Sequence, residues 1–127
     1  MSAHLRDPLA TARGLGSAKD GVNHWWLQRL TAIALALLTP WFIWFAVAQV
    51  GADQYQVRNA IAAPVTAALL LSYVIALMWH ARLGLQVVVE DYIHGWLEVA
   101  LQIAIKLVFA FATVAAAIAI GRIVFSA

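Results

Sequence analysis

The chain has 127 residues, of which 65% are hydrophobic and only 11% charged, with a formal net charge of +2. Soluble domains contain about 45–50% apolar and about 25% charged residues, so this composition excludes a soluble globular protein and indicates an integral membrane protein. The absence of cysteine excludes disulfides, iron–sulfur ligation and thiolate zinc sites in this chain, and no basic patch interleaved with aromatic residues favours nucleic-acid binding.

The polar N-terminal arm comprises residues 1–23 and carries Arg6, Arg13 and Lys19. No short apolar segment precedes a small-residue cleavage site, so no cleavable signal sequence is predicted. We expect the arm to lie on the solvent side of the membrane. It is either ordered against a partner or a plain disordered tail, and the residues favour neither alternative.

The rest of the chain, residues 24–127, is predicted to form one all-α anchor domain with three transmembrane helices. The apolar runs place these helices at about residues 25–50, 60–89 and 96–125. Each run is long enough to cross the ~30 Å hydrocarbon core of a bilayer. Residues 51–59 are predicted to be a short polar loop between the first two helices.

The distribution of basic residues predicts the orientation in the membrane. Three crossings place the N-terminus and the loop between the second and third helices on the same side. Six of the eight basic residues lie on that side, and cytoplasmic segments are enriched in such residues, so the N-terminus is predicted to be cytoplasmic. The six are Arg6, Arg13, Lys19, Arg29, Arg82 and Lys106, against Arg58 and Arg122 on the other side. Because no transit peptide is apparent, a bacterial inner membrane is favoured over a mitochondrial one.

His80 is the only histidine embedded in apolar sequence. Ionisable side chains within a membrane are costly and usually face a protein interior, so they indicate a functional site. A neutral imidazole there can ligate a haem, relay protons, or pack as a hydrogen-bonded side chain against a neighbouring helix. Position alone leaves all three roles open.

The other candidate haem ligands are poorly placed. An electron-carrying haem usually has two strong axial ligands, and the histidines at positions 4, 24 and 94 lie outside the membrane spans. Met78 is two residues from His80 and therefore points to a different helix face. If His80 binds a haem, the second ligand must come from another chain.

Four further polar residues lie near the predicted cytoplasmic edge. Arg29 and Arg82 can pair with carboxylates such as haem propionates, or they can extend to lipid phosphate. The Tyr92 phenol can donate a hydrogen bond to a quinone carbonyl, and the neighbouring Asp91 can pass protons as that carbonyl is reduced. Both can equally be loop residues without such a task.

Two stretches resemble the hydrophobic membrane anchor subunit of succinate dehydrogenase (complex II), the smaller of the two anchors associated with its cytochrome b. The first is HWWLQRLTAIAL at residues 24–35, which is similar to the start of the first helix in that family. The second comprises His80, Gly84, Asp91 and Tyr92, which fit the family pattern H-x(3)-G-x(6)-D-Y without a gap. The resemblance covers about residues 14 to 125.

The resemblance implies a role for each matching residue. His80 would be an axial ligand of a haem b shared with a second membrane anchor subunit of the cytochrome b type. Tyr92 would hydrogen-bond ubiquinone, and Asp91 would support that site. Gly84 would leave room for the flat macrocycle, and Arg29 would meet a propionate. The resemblance does not place an arginine at position 82 in the family as a whole, so support of the haem or quinone site by Arg82 rests on its position near the cytoplasmic edge.

The function implied is that of a membrane anchor for a flavoprotein and an iron–sulfur subunit, passing electrons from succinate to ubiquinone. This chain has no flavin motif, cluster ligand or succinate site, so it is expected to be catalytically inert alone. A fumarate reductase anchor is the near alternative. Two other classes remain open from the residues, namely a haem-free transporter or channel subunit and a structural assembly protein.

Overall fold

The computed structural model describes residues 18–126 of the chain. These residues form four α-helices in the order α1 (Ala18–Ala48), α2 (Gln54–Ala62), α3 (Pro64–Tyr92) and α4 (Trp96–Ser126). No strand occurs within this range, which confirms the predicted all-α fold. Most of the predicted N-terminal arm, residues 1–17, lies outside the described residues, and α1 begins at the arm's C-terminal end.

Three of the helices are long and apolar enough to cross a membrane. Their spans are Gly21–Ala48, Pro64–Tyr92 and Trp96–Ser126. At 1.5 Å per residue, helices of 28–31 residues are roughly 42–46 Å long, which exceeds the ~30 Å hydrocarbon core. The prediction of three spanning helices is confirmed, and the chain is a multi-pass membrane protein.

The connection between the first two spans differs from the predicted loop of residues 51–59. From Gln54 onward it is helical, because Asp53 and Gln56 form a capping box in which each side chain accepts a hydrogen bond from the other's backbone N–H. Pro64 then favours an extended Ala63 (φ −60°, ψ 127°), which ends α2. The second span therefore begins at Pro64 rather than near residue 60.

Helix α3 is the centre of the fold. It packs against α1 on one side and α4 on the other, whereas α1 and α4 do not contact each other within the described part of the chain. Five of the six buried apolar residues lie on α3; the set is Ala67, Leu70, Ala76, Leu83, Val89 and Ile105. The three spans therefore form an open layer rather than a closed bundle, and grooves remain on both sides of α3.

Leu83 is the most buried of these residues, with 3% of its surface exposed, whereas Leu85 on the same helix is 41% exposed. Leu83→Ala should lower the stability of the helix layer by roughly 2 kcal/mol, since truncation of a packed leucine removes contacts and leaves a cavity. Thermal unfolding of the detergent-solubilised protein checks this, with Leu85→Ala as the matched control. Equal destabilisation by both variants would contradict the central position of α3.

Candidate functional site

His80 lies in the middle of α3, half-buried and facing α1. Its Nδ1 is 3.0 Å from Oγ1 of Thr31 on α1, so this contact joins the two helices across their interface. The same hydroxyl lies 2.8 Å from the carbonyl oxygen of Leu27 and 3.1 Å from that of Gln28. The histidine is thus held by a side chain that is itself anchored to the α1 backbone.

These contacts favour one of the two neutral imidazole tautomers, the one in which Nδ1 carries the proton. A threonine hydroxyl has one hydrogen to donate, and the short distance to the Leu27 carbonyl, which can only accept, assigns that hydrogen to it. The hydroxyl oxygen then accepts a hydrogen bond from Nδ1–H of His80. In a neutral imidazole, Nε2 consequently carries the free lone pair, which is the arrangement found in metal-ligating histidines.

His80 also lines an open groove of about 670 Å³. The groove is otherwise lined by residues of α1, several of them small: Ala32, Leu35, Ala36, Thr39, Pro40 and Ile43. Among the residues described, no group of three or more histidine, cysteine or carboxylate side chains could hold a metal ion. The groove therefore offers a single strong ligand beside a flat, mostly apolar wall, which suits a planar group with its second ligand on another chain.

Gly84 lies one turn beyond His80 on α3, on the same face. A Cβ at this position would make one ordinary contact, with Nε2 of Gln28 at 3.9 Å, so Gln28 of α1 lies directly beside Gly84. Oε1 of Gln28 and Nε2 of His24 are buried without a hydrogen-bond partner in the described structure. The unpaired Gln28 oxygen therefore belongs to the α1 side chain beside Gly84, where a bound group or water can satisfy it.

Arg29 lies three residues before Ala32 and seven before Ala36, so helical periodicity places it on the α1 face that lines the groove. Its side chain is exposed, and its guanidinium carbon lies 4.8 Å from the centroid of the Trp25 ring. A cation is thus available beyond the N-terminal end of the groove wall.

Arg82 faces away from His80. Two residues along a helix correspond to a rotation of about 200°, and Arg82 lines a groove of about 330 Å³ between α3 and α4, together with Met78, Phe109 and Thr113. The guanidinium carbon is 5.4 Å from the Trp79 ring centroid, and Nε is buried without a partner in the described structure. The fold therefore does not bring Arg82 or Met78 to the His80 groove.

Asp91 and Tyr92 form the last residues of α3. Asp91 is eleven residues from His80, which places it about 16 Å further along the same helix face. Tyr92 is 80% exposed, and Asp91 is exposed as well. The fold places both side chains at one end of the helix layer, where they can become part of a pocket only when other chains cover them.

The sequence reasoning missed Thr31 as the partner of His80. A signal was present, because Gln28 and Thr31 are polar residues three apart on an apolar helix and thus share a face. It also missed Gln102, whose Nε2 donates to the backbone carbonyl of Gln86 at 3.2 Å and ties α4 to α3.

Several known proteins are similar to this chain. Residues 4–120 match the family model described as the succinate dehydrogenase/fumarate reductase transmembrane subunit. Proteins named succinate dehydrogenase hydrophobic membrane anchor subunit are similar to this chain in Rickettsia bellii, with 40% identity over 91% of this chain and 93% of the relative. The relative of the same name in Paracoccus denitrificans is 33% identical over 87% of this chain and 85% of its own length. No solved structure matches the chain significantly.

Proposed function

Because the chain belongs to the family of succinate dehydrogenase and fumarate reductase transmembrane subunits, we propose that it anchors a succinate:ubiquinone oxidoreductase in a bacterial inner membrane. The anchor role is supported by the names of its relatives and by the three spanning helices. As a membrane anchor subunit, the chain is part of a complex with other subunits.

The proposed partners are a flavoprotein, an iron–sulfur subunit and a second membrane anchor. This chain has no cysteine to ligate an iron–sulfur cluster, so electrons must reach this chain from another subunit. The open layer of α1, α3 and α4 leaves the His80 groove uncovered. A second anchor packed over this groove can bury the exposed apolar face of α1 and provide the missing axial ligand.

A haem b fits the donor set of the groove. When bound, this group supplies a one-electron carrier near the quinone. His80 would hold the iron through Nε2, while Thr31 keeps Nδ1 protonated and the ring fixed. The missing side chain at Gly84, one turn from His80, would leave room for the edge of a flat ring, and Arg29 would pair with a propionate at the groove's N-terminal end. The observation that supports this assignment is the position of His80 in the groove, with its Nδ1 in contact with Thr31.

Ubiquinone would be reduced beside Asp91 and Tyr92. The Tyr92 phenol would donate a hydrogen bond to a quinone carbonyl oxygen, and the Asp91 carboxyl would supply protons from the aqueous side as electrons arrive. The high exposure of both residues supports this role, because the pocket would be completed by the iron–sulfur subunit and the second anchor.

The proposed orientation places the N-terminus and Tyr92 on the cytoplasmic side. Six of the eight basic residues fall on that side by connectivity, and cytoplasmic loops carry such an excess. The soluble catalytic subunits would then bind at the cytoplasmic surface, next to the proposed quinone site. A fumarate reductase anchor is the second candidate, because the matching family description names both enzymes.

The experiment that tests the proposal is purification through an affinity tag on this chain. We expect a flavoprotein, an iron–sulfur protein and a second hydrophobic subunit to co-purify, and succinate-dependent ubiquinone reduction to be inhibited when quinone analogues are added. Membranes lacking this chain should release the catalytic subunits in soluble form. Faster quinol-dependent fumarate reduction than succinate oxidation would favour the second candidate, and isolation of the chain without redox partners would contradict both.

The Thr31–His80 contact yields a separate prediction. Thr31→Val keeps the side-chain shape and removes the hydroxyl, so His80 should bind haem less tightly by about 10–100-fold, the usual effect of losing an outer-shell partner. To measure the loss of haem affinity, the purified complex is diluted, and its haem content is determined from the reduced-minus-oxidised spectrum. Thr113→Val is the matched control, since that hydroxyl donates only to the Phe109 carbonyl within α4. Equal haem loss in both variants would contradict the positioning role of Thr31.

A further inference from the structure

A third groove, which contains two arginines, lies at the end of the helix layer opposite Tyr92. It has a volume of about 590 Å³ and is formed by the short helix α2 and the C-terminal turns of α4. Its lining residues are Arg58, Ala119, Arg122, Ile123, Phe125 and Ser126. Two guanidinium groups and one hydroxyl therefore face the same space, in a region that none of the proposed redox roles uses.

The two guanidinium groups of this groove have no carboxylate partner among residues 21–126. Nη2 of Arg58 donates to Oγ of Ser126 at 3.0 Å, which fixes one guanidinium against the end of α4 and leaves its other N–H groups available. Between residues 21 and 126, the only acidic residue at this end of the layer is Asp53. Its carboxylate already accepts the Gln56 N–H in the capping box. The groove can therefore accommodate an anionic group, beside the C-terminal carbonyls of α4.

The positions of the two arginines are unusual for a membrane protein. They are the only two of the eight basic residues on the side opposite the N-terminus, where basic residues are generally depleted. Both nevertheless line one groove, although they lie far apart in the sequence. The fold, rather than chain proximity, brings these two charges together.

The groove also has an apolar wall. Ile123 and Ala119 continue the lipid-facing surface of α4, and Phe125 is 91% exposed beside them. A ligand for this site must therefore combine an anionic group with a hydrocarbon chain. A zwitterionic headgroup would place its ammonium near two guanidiniums and no available carboxylate, which is unfavourable.

We propose that Arg58, Arg122 and Ser126 bind the phosphate of an anionic phospholipid whose acyl chain lies along α4. Guanidinium groups bind phosphate oxygens through paired N–H donors, and the Ser126 hydroxyl can add a third contact. A lipid held in this way links α2 to the end of α4. It therefore stabilises the connection that positions the start of α3.

The test compares the whole purified complex with its Arg58→Gln/Arg122→Gln variant, after solubilisation in a mild detergent. Lipid extraction and mass spectrometry should find about one tightly held anionic phospholipid fewer per complex in the variant, corresponding to this one site. Lys106→Gln, which removes an exposed cation from the first half of α4, is the control and should retain the lipid. Equal anionic lipid in the double variant and the wild type would overturn the proposal.

A second measurement uses the wild-type complex, so it tests the proposal even if the double variant fails to assemble. The delipidated wild-type complex should gain thermal stability when phosphatidylglycerol micelles are added and should gain none with phosphatidylcholine. Arg58→Lys/Arg122→Lys, which keeps both charges but loses the paired donors, should show a weaker gain. Adding inorganic phosphate at millimolar concentration shows whether the site binds a lipid headgroup or free phosphate. An equal gain with phosphate alone, or with phosphatidylcholine, would overturn the assignment to an anionic lipid.

Discussion

Replacing His80 with alanine should abolish the b-type haem spectrum of the purified complex while leaving all three spanning helices inserted. His80 is the only histidine in the groove between α1 and the open face of α3, and its Nε2 is free of the Thr31 contact. Loss of an outer-shell partner already weakens metal binding by about 10–100-fold, so loss of the ligand itself should leave no stable haem. The reduced-minus-oxidised visible spectrum measures this directly.

The control for this variant is His94→Ala, which removes an exposed histidine outside the spanning helices. It should retain the full haem band. A band that persists in His80→Ala would move both axial ligands to other chains and remove the role assigned to His80. The absence of haem from the wild-type complex, with all partner subunits present, would leave this chain as a haem-free anchor.

Replacing Tyr92 with phenylalanine should lower succinate-dependent ubiquinone reduction by about 100-fold, because a positioned proton donor typically contributes 10²–10⁴-fold to such a step. Succinate oxidation with an artificial acceptor at the flavoprotein should be unaffected, since that reaction does not use the membrane site. The change removes one oxygen from a side chain that is 80% exposed, so folding of this chain should not be disturbed.

The ratio of the two activities isolates the effect of Tyr92 from any loss of complex. Tyr55→Phe is the matched control, since Tyr55 is 73% exposed and lies on α2 at the other end of the layer. Tyr55→Phe should leave both activities unchanged. If Tyr92→Phe had the quinone activity of the wild type, the phenol would have no part in quinone reduction.

The sequence alone was sufficient for the general architecture. Three apolar runs of membrane-spanning length predicted three helices, and the structure confirms them because hydropathy and backbone hydrogen bonding are local properties of each segment. The motif from His80 to Tyr92 also pointed to a family to which the chain belongs. The connection before Pro64 was predicted wrongly as a loop, because the Asp53–Gln56 capping box was not recognised.

What the tertiary structure decided is which side chains meet. The sequence assigned Arg82 to the support of the haem or quinone site, yet Arg82 and His80 line different grooves, since each residue turns the helix by about 100°. It gave no partner for His80, and the fold provides Thr31, 49 positions away. Arg58 and Arg122 likewise meet only because α2 packs on α4. Hydropathy determines which segments cross the membrane, but contacts between helices depend on their relative rotation and depth, and these are set by packing along the whole of α3.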